Sequence, residues 1–195
     1  MPEYGEVSFT LLDIKAAALG SDNTYGTPVS LGYGQSLEFS PQADSDMIKA
    51  YGMGVELLRV ITHATGTLSQ GQLDFAGYAV LIGSGGFVKN DFGTTPTQYS
   101  QVDVKVGDSG LPYFGLIGKL AGVNGADLHL GFSKCMLDTI PGFTVEQNKF
   151  ILPSCAMSMI TPDVTNRMLL SYDTHETAQD ITDDFDTFFA RHFSS

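Results

Sequence analysis

The sequence predicts a mainly β protein, an antiparallel β-sandwich or flattened barrel with one packed α-helix, a long inter-strand loop and a C-terminal arm. Three observations lead there. Apolar residues alternate with small or polar ones over several short runs, as on half-buried strands. Twenty-two glycines and eight prolines punctuate those runs, a supply of turn formers that suits short strands better than long helices. One stretch in the body carries apolar residues at helical spacing between a start and a stop signal. The 195 residues suffice for a real core, and the expected division is a β domain over 1–167 followed by an acidic C-terminal arm with a short helix over 168–195.

The chain opens with a short strand, Val7-Ser8-Phe9-Thr10-Leu11. Ala16 to Leu19 is too short to argue for a helix, and Gly20 to Pro28 reads as a loop. The clearest alternation follows. Val29, Leu31, Tyr33, Leu37 and Phe39 share one parity, and Ser30, Gly32, Gly34, Ser36, Glu38 and Ser40 share the other, which puts the large side chains on one sheet face. Gly32 and Gly34 weaken such a strand, so a bend or a close approach is expected there. Pro41 and Asp44-Ser45-Asp46 break the pattern, and residues 40–54 are expected to form the long loop. From Val55 to Thr65 both parities carry apolar residues, as in a strand covered on both sides or lying at an edge. Ser69 and Gln72 have the spacing of a capping box. Leu73, Ala76 and Val80 follow at helical spacing and Gly83 supplies a stop, so a helix is expected over 70–83.

The second half returns to strands. Val102, Val104 and Val106 alternate with Asp103, Lys105 and Gly107, and a turn at Asp108-Ser109-Gly110 leads into Leu111 to Ala121. Val123-Asn124-Gly125 is a hairpin signal, after which Leu128, Leu130, Phe132 and Met136 share a face. Phe150 to Ile160 is strand-like but is divided by Pro153. In the tail, Asp173, Glu176, Asp180, Asp183, Asp184 and Asp186 occur without a lysine or arginine until Arg191. Ile181, Phe185, Phe188 and Phe189 form an apolar helical stripe there. A stripe so costly to expose is expected to dock, either on the body of its own chain or on a neighbouring subunit.

Charge and composition narrow the function. Twenty-two acidic against ten basic residues give a net charge of −12, and the basic residues are scattered singly. An ordinary basic groove for nucleic acid is therefore not expected. Phe75 to Phe87, the longest uncharged apolar-looking stretch, falls short of the roughly 20 residues a membrane-spanning helix needs, and the start of the chain lacks the basic and apolar regions of a signal peptide. No membrane association is expected. The four histidines, His63, His129, His175 and His192, and the two cysteines, Cys135 and Cys155, match no metal-ligand or redox spacing. His175-Glu176 would bind a metal only if distant residues folded beside it. Gly83-Ser84-Gly85-Gly86 lacks the lysine of a phosphate-binding loop. The expectation is a protein with no catalytic residues, no metal and no cofactor, which is not an enzyme.

The order of parts resembles the major tail tube proteins of long-tailed bacteriophages. The resemblance spans most of residues 7–160: an opening strand, the Val29–Phe39 strand, the excursion to Gly54, the Val55–Thr65 strand, the helix, and further strands. Thr65-Gly66-Thr67-Leu68 before the helix and Gly83-Ser84-Gly85-Gly86 after it carry it further. It implies a structural virion protein, made in the host cytoplasm and resident in the virion tail. Its partners would be copies of itself in stacked, usually hexameric rings, other phage tail proteins, and DNA that passes through the hollow tube without tight binding. On that reading Asp44, Asp46, Met47, Ile48 and Tyr51 belong to a ring-stacking loop, and Glu38, Asp103 and Asp127 are lumen acids. The alternatives are a virion decoration or tail-terminator protein, a tube component of a bacterial secretion apparatus, or a small-molecule-binding β protein.

Overall fold

The computed structural model describes residues 10–32, 34–50, 53–70, 75–83, 88–90, 99–101, 111–122, 125–140, 144–146, 149–151, 154–161 and 169–190. The strands in chain order are β1 (Thr10–Ala18), β2 (Val29–Ser30), β3 (Gly34–Ala50), β4 (Met53–Gln70), β5 (Val88–Asn90), β6 (Tyr99–Gln101), β7 (Phe114–Ala121), β8 (Asp127–Leu137), β9 (Thr144–Glu146), β10 (Lys149–Ile151), β11 (Ser154–Ile160) and β12 (Leu170–His175). The helices are α1 (Phe75–Ile82) and α2 (Phe185–Ala190). The protein is mainly β, as its alternating runs predict. Eight strands form one antiparallel sheet in the order β2-β1-β7-β8-β11-β4-β3, with β12 also paired to β8.

That sheet is folded on itself. β1 and β3 lie near opposite ends of the strand order yet touch, and Leu11 and Leu37 both approach Gly118. Ile14, Ala16, Leu116 and Phe132 from one layer meet Leu68, Met157 and Met159 from the other. Leu81 and Ile82 of α1 close one side of this interior. The helix packs tightly because Gly77 has no side chain: a Cβ there would strike Leu31. Gly83 ends the helix in a left-handed conformation at φ 68°, donating its N–H to Ala79 O at 2.9 Å, as its place after the apolar stripe predicts. Ser69, read as the helix cap, lies instead in β4, paired with Ser36 and Ser154. β4 runs through Ser69 because both of its edges are occupied there, while Gln72 and Leu73 lie outside the described residues.

Two expectations about the strands change. The Val29–Phe39 strand is broken at Gly32, φ 79°, so that β2 pairs with β1 and β3 with β4. The expected loop over residues 40–54 is mostly strand: β3 continues to Ala50 and β4 starts at Met53. Pro41 does not stop β3, because β3 is the last strand of the sheet and one of its sides has no neighbour that needs a donor. The Phe150–Ile160 run is split between β10 and β11, and Pro153 lies outside the described residues. The turn after β7 has Gly125 at φ 77°, as the Asn124-Gly125 signal requires. Residues 102–110, including the expected Val102–Val106 strand and Asp103, lie outside the described residues.

The C-terminal segment is part of the body. β12 pairs with the first half of β8, and Ile181, Phe185, Phe188 and Phe189 are buried with Ala17 and Ile117 against the face of β1 and β7 opposite the main core. Asp184 caps α2, accepting the Thr187 N–H at 2.8 Å. Lys15 Nζ donates to Ile181 O at 2.9 Å and pairs with Asp183 at 2.6 Å. The aromatic stripe therefore covers its own chain's sheet, one of the two dockings open from sequence.

Candidate functional site

Three features set this body apart from a closed β-sandwich. The first is the length of the β3–β4 hairpin. β11 follows β4 as far as the pair Ile160↔His63, while β3 and β4 remain paired from Ala43↔Ile61 to Ala50↔Met53. Beyond that point the two strands run on together with no third strand beside them among the described residues, rising about 3.3 Å per residue, for a reach on the order of 25 Å. Thr62 is skipped in the pairing where the hairpin departs and Val55 nearer the tip, bulges that bend and twist a ribbon. An isolated two-stranded ribbon is marginal in water. Asp44, Asp46, Met47 and Ile48 all belong to this hairpin, in register with Val60, Leu58, Leu57 and Glu56. Tyr51 lies outside the described residues.

The second feature is the outward face of β3, β4 and β11. Three rows cross it in register: Glu38, Thr67 and Ala156; Ser40, Thr65 and Ser158; Gln42, His63 and Ile160. Glu38, Ser40, Gln42, Thr65 and Ala156 are exposed, and Asp138 stands beside the rows, accepting the Ser158 hydroxyl at 2.6 Å. No lysine or arginine occupies these rows, so this face is small, polar and acidic. Sequence reasoning reached Glu38 but not Asp138, which sits just past β8. β3, along its whole length, has no second strand partner among the described residues.

The third feature is a polar cluster at the junction of β8, β12 and the segment after it. Asp127, one of the expected lumen acids, is only 2% exposed. It is enclosed by its own chain and is not a surface acid, because the segment after β12 folds over it. Its Oδ2 accepts the Gln179 N–H at 2.6 Å and lies 3.5 Å from Lys119 Nζ. Lys119 also donates to Gln179 O. Burial raises the carboxyl's pKa, but the Gln179 N–H, the two neighbouring imidazoles and Lys119 outweigh it and hold Asp127 below the usual carboxylate range. His129 is 3% exposed; burial pushes its pKa down against the pull of Asp127, which leaves the ring neutral at pH 7.

His175 completes the cluster. It pairs with Asp127 across β12 and β8, and its ring lies 4.7 Å from that of His129. One ligand-type atom from each of Asp127, His129 and His175 falls within 4.8 Å of the others. Asp127 and His129, two apart on a strand, share a face, which was readable from sequence; the pairing that brings His175 beside them was not. Glu176, its sequence neighbour, is exposed.

Cys135 and Cys155 are buried free thiols. Among the described residues no helix is long and apolar enough to cross a membrane. No protein-family model matches the chain, and no curated protein matches it in sequence.

Proposed function

We propose that this protein is a structural subunit of a phage tail tube, assembling into stacked, hexameric rings around a channel for viral DNA. The single observation that carries the reading is the β3–β4 hairpin. A ribbon that runs on beyond its β11 partner for eight residue pairs carries apolar residues on both parities of its sequence. It gains stability when another surface covers it, and a neighbouring ring is a surface of fixed geometry repeated around the axis. The open edge of β3 supports ring closure, since pairing with the next subunit's sheet removes an exposed strand edge.

The acidic face of β3, β4 and β11 fits the lumen. Phosphates passing Glu38 and Asp138 meet repulsion and no lysine or arginine in the three rows, so a duplex is confined without being held. Asp127 leaves this set because it is buried. The protein's place is then the virion tail, its partners further copies and other tail proteins, and its role mechanical.

Removing the outer part of the hairpin tests the assignment. A variant that joins Ser45 directly to Arg59, which are paired in register, through a two-residue Asn-Gly turn should keep the far-UV circular dichroism of the body. It should sediment as single rings or smaller species. Wild-type tube lengths in electron micrographs of this variant would remove the hairpin from ring stacking.

A further inference from the structure

We propose that Asp127, His129 and His175 form a binding site for one borderline divalent cation of the zinc class. The inference stands apart from ring assembly and rests on this cluster alone. Two histidine nitrogens and one carboxylate oxygen suit zinc-like ions, whereas calcium and magnesium seek six or more oxygens.

The orphaned atoms point the same way. Asp127 Oδ1 and His129 Nε2 are buried with no hydrogen-bond partner among the described residues, and both residues are more than nine-tenths buried. Leaving two such groups unpaired in one small volume is costly. His129 Nε2 is 3.7 Å from Asp127 Oδ2, too far for a hydrogen bond, so the ring nitrogen lies beside the carboxylate without bonding to it. Ligand-type atoms of the three residues lie within 4.8 Å of one another, whereas neighbouring ligands of a tetrahedral ion sit roughly 3.4 Å apart for bonds of about 2.0–2.1 Å; His175, the least buried of the three, is the ring with room to turn inward. Lys119 faces the other carboxylate oxygen, Oδ2, and is held away by Gln179 O, so Oδ1 is the oxygen left for the ion. The fourth position falls to water.

Such an ion would fasten the end of β12 and the segment through Gln179 to the first strand turn of β8. Binding to the folded state alone raises its stability. The site would act as a clasp on the C-terminal segment and not as a catalytic centre.

The test uses the full-length chain after chelator treatment, titrated with Zn2+ and, separately, Co2+. One Zn2+ per chain should bind with a rise in melting temperature, and Co2+ should give the visible absorption of a tetrahedral site. His175→Gln should weaken Zn2+ binding by more than the roughly 10- to 100-fold typical of losing a supporting hydrogen bond to a ligand, with unchanged circular dichroism. His63→Gln, on the exposed face of β4, should bind as the wild type does. Where a histidine variant does not fold, the Co2+-loaded wild type decides, by paramagnetically shifted resonances from two imidazoles. Absence of stoichiometric uptake, uptake indifferent to His175→Gln, or Co2+ spectra without two shifted imidazoles would overturn the proposal.

Discussion

Gly115 and Gly131 set how closely the C-terminal aromatics lie on the sheet. A Cβ on Gly131 would strike the Phe188 ring and come within 2.8 Å of Phe189, and one on Gly115 would meet Tyr25 at 2.5 Å and Phe185 at 3.2 Å. These contacts are side chain on bare backbone, so the rings cannot yield without lifting α2. Gly131→Ala should therefore destabilise the protein by about 1–3 kcal/mol, measured by urea denaturation, and an unchanged midpoint would mean that the aromatic cluster is looser than described. The buried thiols give a second residue-scale expectation. Desolvation pushes Cys155 up to about 11 and Cys135 higher still, so little thiolate exists at pH 8. A thiol reagent at that pH should label neither residue in the native protein and both after unfolding; rapid native labelling would contradict their burial. That the cysteines belong to no metal or redox motif was legible in their spacing. The closeness demanded at Gly131 was not, because it depends on a helix far along the chain.

At the scale of elements, α2 shows what a six-residue helix needs to persist. Too short to be stable alone, it is capped by Asp184, tied through Asp183 to Lys15, and buried through Phe185, Phe188 and Phe189. Asp186 accepts the Tyr25 N–H at 3.3 Å, and the Tyr25 hydroxyl donates to Ser133 O at 2.5 Å. Phe188→Ala should cost about 3–5 kcal/mol, read as a fall in melting temperature. A loss below 1 kcal/mol would show that the segment contributes little to the folded state. The aromatic stripe and its acidic start were readable from sequence because both are local. The hairpin was misread for the opposite reason. Pro41 and the Asp44-Ser45-Asp46 segment look like loop, and their strand state depends on β4 alongside and on β3 being an edge. The Ser69–Gln72 spacing misled in the same way, with tertiary pairing overriding a short local motif.

At the scale of the molecule, the folded sheet divides its surface by chemistry. One face is sealed by α2 and its acids, several of which are occupied in holding the segment down. The outward face of β3, β4 and β11 carries Glu38 and Asp138 among small polar residues, and β3 ends the sheet as an open edge continued into a projecting ribbon. The excess of acid is thus split between a structural share on the C-terminal segment and an exposed share on the outward face. Fold class was legible because period-two alternation and turn residues recur along the whole chain. The division of charge was not, since burial of Asp127 follows from a covering segment that no local pattern announces. Electron microscopy of the purified full-length protein over rising concentration tests the central claim most directly. Long, hollow tubes of uniform diameter with an axial repeat from stacked rings are the predicted result. A protein that stays monomeric, or halts at a discrete oligomer without a channel at every concentration, would contradict it.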